Sequence, residues 1–191
     1  MMEKILLLGG GGHCKSVIDV IEQEGKYAIA GIVDKKECIG KDVLGYKVIA
    51  CDDDLEVLFK EYKYALITVG QVKSNALRVK LFNQLKKIGY TLPTVVSPLA
   101  YVSKYASLKE GTVVMHHALV NASVNVGENC IINTKSLLEH DVLVEEHCHV
   151  STATVINGGT IVKANSFVGS NTTTKELVEI DGFIKAGGVV K

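Results

Sequence analysis

His140 and Asp141 stand side by side, and eighteen residues further on come Gly158 and Gly159. An imidazole can accept a proton, and an adjacent carboxylate orients the ring and stabilises its cation. A glycine N–H, uncovered by any side chain, can hold the oxyanion of a tetrahedral intermediate. These groups suit acyl transfer, provided that residues eighteen apart are neighbours in space; otherwise His140 is a surface histidine stacked on a turn. His147 and His149 flank Cys148, with Glu145 and Glu146 close by. A metal would need three or four convergent ligands, whereas outward side chains on a convex surface diverge. No metal is expected there, and His149 is better placed as a polar partner in an intersubunit site. His116 and His117 fall outside the eighteen-residue relation to His140 and are expected at the surface. Cys130 and Cys148 occupy small inward positions, so direct transfer is expected rather than an acyl-cysteine.

The neighbour condition follows from the second half of the chain. From Val96 to Val168 every sixth residue is aliphatic, without a slip. A period of six fits neither a helix nor a hairpin sheet. It fits a left-handed parallel β-helix in which three hexapeptides make one triangular coil and the aliphatic residue of each points inward. Residue n then lies about 4.8 Å from residue n+18. Gly158 falls on His140, Gly159 falls on Asp141, and Val114, Ile132 and Val150 form one inward column. The pattern weakens at TTKELV and recovers in part at EIDGFI and KAGGVV.

Residues 1–94 obey a different rule, alternating strand and helix. Strands are expected at Lys4–Leu8, Tyr27–Val33 and Tyr64–Val69. One helix runs from His13 to Glu24 and stops at Gly25; another is capped by Ser74 and carries Leu77, Leu81, Leu85 and Ile88 on one face. This is an α/β Rossmann-like domain, followed over residues 95–191 by the β-helix. Gly9 and Gly11 match the first two positions of G-x-G-x-x-G, but Cys14 takes the third, so the motif does not specify NAD. A glycine loop ahead of a helix N-terminus would still suit the phosphates of a nucleotide sugar, the alternative being a tight turn. Asp34, closing the second strand, could read a base or ribose. Asp52–Asp54 is expected to be a solvated helix cap.

Basic and acidic residues balance at 21 each, so no global field draws the chain to nucleic acid or an acidic membrane. The apolar run Ile5–Leu8 is far shorter than the ~18–20 residues of a membrane span, and neither a signal peptide nor a span is read. Five cysteines without a C-x-x-C pair suit reduced thiols. A cytoplasmic protein is expected.

ILLLGGGGHCKSVID followed by GIVDKK, and later NTKSLLEHDVLVEEHCHVS, resemble the markers of a known group. These are the hexapeptide-repeat sugar acetyltransferases of the sialic-acid O-acetyltransferase type, among them the UDP-4-amino-sugar N-acetyltransferases of bacillosamine synthesis. The resemblance covers nearly the whole chain. It implies acetyl-CoA as co-substrate, His140 as general base, and Asp141 in the place of the family's acid. It further implies a contact from His149 to the acyl donor or the sugar, a backbone donor from Gly158 to the thioester carbonyl of acetyl-CoA, and a substrate contact from Asn133. Gly9, Gly11, His13 and Asp34 would line a nucleotide-sugar pocket. A homotrimer with acetyl-CoA between adjacent β-helices is also implied. Relatives usually continue into a G-x-P-A-[KR] tail, and any contact that tail makes to CoA would here be absent or left to Lys163, Lys175 and Lys185. The reaction implied is acetylation of the amine of a nucleotide-linked sugar; sugar O-acetylation and a non-catalytic scaffold or sensor are the alternatives.

Overall fold

Ile5, Leu6, Leu7 and Leu8 are all fully buried, which a strand achieves only when both its faces are covered. The computed structural model, which describes residues 2–191, places them in β1 (Glu3–Leu8). After β1 come α1 (Gly12–Glu24), β2 (Tyr27–Val33), β3 (Asp42–Val43) and β4 (Tyr46–Ala50). A short α2 (Leu55–Leu58), β5 (Tyr64–Ile67) and α3 (Ala76–Ile88) complete the series. The sheet order is β3-β4-β2-β1-β5, parallel except for the β3–β4 hairpin. β1 is flanked by β2 on one side and by β5 on the other, so the strand order reverses there, and the C-terminal end of β1 is the switch point where α/β sheets bind ligands.

Helix α1 buries Cys14, Val17, Ile18, Val20 and Ile21, and ends at Gly25, whose φ of 66° lets its N–H reach the Ile21 carbonyl. In α3 the spacing puts Leu77 on the buried face, but Leu77 is 48% exposed and Arg78 is buried instead. The Arg78 guanidinium donates to the carbonyls of Ile67 (2.7 Å) and Val69 (3.0 Å), acceptors left open where β5 stops pairing. Asp52–Asp54 forms a 3-10 turn in which Asp54 accepts the Cys51 N–H, so the acidic run is indeed a cap.

By internal contacts the residues up to Gly70 group with Ala76–Pro93, while Gln71–Asn75 groups with Thr94–Lys191. This second unit is a left-handed β-helix of two-residue parallel strands in three sheets. The first face stacks the strands beginning at Val95, Val113, Ile131, His149, Phe167 and Phe183. The second stacks those at Tyr101, Leu119, Leu137, Val155, Thr173 and Val189, and the third those at Ser107, Asn125, Leu143, Ile161 and Glu179. Ile132 pairs with Val114 and Val150, and all three are fully buried. Every sixth residue from Gly111 to Leu177 turns a corner with positive φ.

The eighteen-residue register fails once. Phe167 pairs with Phe183 and Thr173 with Val189, sixteen residues apart. Two residues are missing from the corner at Asp181 and Gly182, where Gly182 takes φ 79°. Ile184 and Val190 therefore join the core in place of Ala186.

Candidate active site

His140 projects from the corner between the second and third faces. Its side chain is 65% exposed, and Nδ1 lies 2.8 Å from Asp141 Oδ2. The carboxylate accepts the Nδ1 proton, so the Nε2 lone pair points outward with no partner among the described residues. The Asp141 hydrogen bond, reinforced by the charges of Asp141 and Glu139, raises the His140 pKa above the ordinary histidine value.

The imidazole lies directly over Gly158. A Cβ built there would sit 2.8 Å from Cε1 and 3.0 Å from Nε2, so no side chain fits without displacing the ring. Gly159 likewise abuts Leu177, and its N–H donates to the His140 carbonyl at 3.0 Å. Equivalent corner N–H groups at Ala122, Thr134 and His140 are capped by the preceding Asn121, Asn133 and Glu139 side chains. Asn157 instead turns its amide to the Thr174 carbonyl, and the Gly158 N–H has no acceptor among the described residues. A proton acceptor and an uncommitted donor thus face the same space.

Asn133 and His149 form a separate cluster. Asn133 Oδ1 accepts the Thr134 N–H at 2.8 Å, so its Nδ2 faces His149 Nε2 at 3.0 Å. His149 Nε2 is then the acceptor, and Nδ1–H donates to the Gln71 carbonyl. His149 is 6% exposed, with both ring nitrogens engaged inside the protein. Asn133 stands at the corner before the strand Leu137–Leu138 and His140 at the corner after it, so one chain does not gather them into one cluster. His147 Nδ1 meets Asn129 at 3.0 Å, away from the His149 partners. No group of three His, Cys, Asp or Glu able to hold a metal is found among the described residues. Cys148 is fully buried; its Cys130 neighbour and burial push its thiol pKa far up. A buried thiol held protonated is not poised for attack.

In the first unit, Gly9 has φ 102°, and a Cβ there would lie 2.5 Å from a Val69 methyl, so Gly9 is demanded by packing. Nothing lies within 4 Å of a Cβ at Gly11 or Gly12, which leaves open space above the N-terminus of α1. His13 opens that helix, half-buried. Asp34 accepts the N–H of Gly10 and of Lys35, both at 2.7 Å, so its carboxylate fixes the glycine loop. That role was not visible in the sequence.

Residues 4–85 match the PglD N-terminal domain family. No curated protein matches by sequence. Among solved structures, a histidine-to-asparagine variant of perosamine N-acetyltransferase from Caulobacter crescentus, in complex with CoA and GDP-perosamine, superposes with a TM-score of 0.92. The identity is 30%, over 100% of this chain and 90% of that one. This chain belongs to the UDP-4-amino-sugar N-acetyltransferase family of hexapeptide-repeat acyltransferases. Another relative of this N-acetyltransferase family member is the acetyltransferase domain of PglB from Neisseria gonorrhoeae FA1090 in complex with acetyl coenzyme A. It is 26% identical, with a TM-score of 0.89 over 100% of this chain and 93% of that one. WeeI from Acinetobacter baumannii AYE, 17% identical with a TM-score of 0.66, shares the fold.

Proposed function

We propose that this protein transfers the acetyl group of acetyl-CoA to the amine of a nucleotide-linked amino sugar in the cytoplasm, for bacterial surface glycan or glycoprotein synthesis. The observation that carries the reading is His140, polarised by Asp141 and lying on Gly158. The sugar amine attacks the thioester carbonyl while His140 Nε2 takes the amine proton. The Gly158 N–H holds the resulting oxyanion. Collapse breaks the C–S bond, and the CoA thiolate leaves with the proton that His140 returns. The CoA and GDP-perosamine bound to perosamine N-acetyltransferase, and the acetyl coenzyme A bound to the PglB domain, support acetyl-CoA and a nucleotide-linked amino sugar as the two substrates. The open space at Gly11 and Gly12, above the helix N-terminus where His13 stands, suits the phosphates of the sugar nucleotide. Gly9 and Asp34 shape that loop from beneath. Asn133 keeps one Nδ2 hydrogen to offer substrate, while His149 holds Asn133 in place.

Comparing kcat/KM for a UDP-4-amino-sugar and for free or CMP-linked sialic acid tests the acceptor. The amino sugar is expected to be preferred, because sialic acid alone has no phosphate to place at the helix N-terminus. A clear preference for sialic acid would make the protein an O-acetyltransferase.

A homotrimer is part of this proposal. The second face of the β-helix presents Tyr101, Leu119, Leu137 and Val155 outward in an unbroken row, whereas the third sets Leu143 and Ile161 between Ser107, Asn125 and Glu179. Tyr101 is 60% exposed in the single chain. A second copy on that apolar face would lie beside the His140 corner, with acetyl-CoA between the two. Light scattering should give the mass of three chains; an active monomer would remove this part of the reading.

A further inference from the structure

The segment Gln71–Asn75 borders a cavity of about 280 Å³ that the mechanism above does not use. Three contacts hold the segment against the first face of the β-helix. His149 donates to the Gln71 carbonyl, Gln71 Nε2 donates to the His147 carbonyl at 3.2 Å, and Asn75 Nδ2 donates to Asn165 Oδ1 at 2.6 Å. Phe167 and Phe183 form the facing wall, their rings 5.2 Å apart and 11° from parallel. The two-residue shortening of the last coil is what brings Phe183 into register over Phe167. Phe167 is 9% exposed, but Phe183 is 58% exposed, so an aromatic stack ends on an open ring.

The polar groups around that ring are of the kind that read a heterocycle. Once bonded to each other, Asn75 and Asn165 still offer an Oδ1 acceptor and an Nδ2 donor side by side. Gln71 is 2% exposed, and its Oε1 is buried with no hydrogen-bond partner among the described residues. A buried acceptor without a donor costs free energy unless something brings one. Lys73 is the one cation in the lining. The volume sits just below the ~300–1,000 Å³ of pockets that enclose whole small molecules, which suits one ring system.

We propose that this cavity binds a nucleobase and its nearest phosphate: the base stacks on Phe183 and meets the Asn75–Asn165 amides, and Lys73 takes the phosphate. The inference rests on the reading above, in which both substrates carry a nucleotide. The base could come from the adenosine end of acetyl-CoA or from the sugar nucleotide.

Calorimetric titration of the full-length protein with CoA, ADP, UDP and GDP tests it. At least one nucleotide is expected to bind. Phe183→Ala should weaken it by roughly 5- to 150-fold, and Phe183→Tyr should restore it. Loss confined to CoA and ADP assigns the cavity to the acetyl donor; loss confined to UDP or GDP assigns it to the sugar nucleotide. Equal affinity in the parent and Phe183→Ala, or no nucleotide binding by the parent, overturns the proposal. Thiol release from acetyl-CoA is measured in parallel. An active parent whose Phe183→Ala variant keeps both KM values sinks the cavity and leaves the acetyltransferase. A parent that binds a nucleotide through Phe183 yet acetylates no amino sugar sinks the acetyltransferase and leaves the cavity.

Discussion

Replacing His140 with alanine is expected to lower kcat by roughly 10²–10⁴-fold while acetyl-CoA still binds. The substitution removes the one nitrogen whose lone pair is free to take the amine proton, and it leaves the Gly158 N–H untouched. Gly158→Ala should also lower kcat, by the opposite route: the base remains, but the new methyl falls on the ring at 2.8 Å and turns it away. The pH profile adds a sign that a structural role would not produce. A base works only when neutral, so kcat falls as pH drops through the His140 pKa. Asp141 raises that pKa, so the acid limb of the parent is expected at higher pH than an ordinary histidine would give. Asp141→Asn removes the carboxylate charge, so the limb should move to lower pH and, with a weaker base, the plateau should fall. Lost CoA affinity at unchanged kcat in the His140→Ala variant would take the base role away from His140.

Ile132→Asp is the second large effect, this time on stability. Ile132 is fully buried between Val114 and Val150 in the column that fills the β-helix. A carboxylate there would lie in an apolar column with no cation to pair with, and the isoleucine's methyl contacts are lost as well. The expected loss is about 3 kcal/mol or more, read as a fall in denaturation midpoint at fixed protein concentration. Ile132→Val, which keeps the apolar fill, should lose only about 0.5–1.5 kcal/mol. If the aspartate variant unfolds like the parent, residue 132 does not point inward and the register around it is wrong.

The β-helix was legible because its period is rigid: one aliphatic residue in six fixes the strand, the inward direction and the neighbour on the next coil. The same rule puts Gly158 on His140, where the structure has it. It did not announce the change to sixteen residues at Asp181 and Gly182: Ile180 still fits the six-residue series, and Ile184 and Val190, six apart, begin a shifted series too short to stand out as one. The β3–β4 hairpin was missed for a different reason. Its two turn residues, Leu44 and Gly45, both have positive φ (52° and 88°), the geometry usually announced by Asn-Gly or Asp-Gly. Leucine gives no such signal. Asp34 and His149 were picked out as residues, but their partners are backbone atoms: the N–H of Gly10 and the carbonyl of Gln71. Side-chain types alone do not reveal which main-chain group they will meet.

The shortened corner at Asp181 and Gly182 shows where this fold tolerates changes of length. A residue added within a two-residue strand would turn an inward aliphatic outward and break the stack above and below it. A corner is only a connection between pairings, and the closure entropy of a loop grows slowly with its length. Insertions and deletions should therefore accumulate at corners, where a loop can grow outward without disturbing the coils on either side. For engineering, a corner away from His140 and from the Phe183 cavity is the place to graft a peptide or affinity tag, whereas Asp181–Gly182, whose length sets Phe183 over Phe167, is the one to leave unchanged.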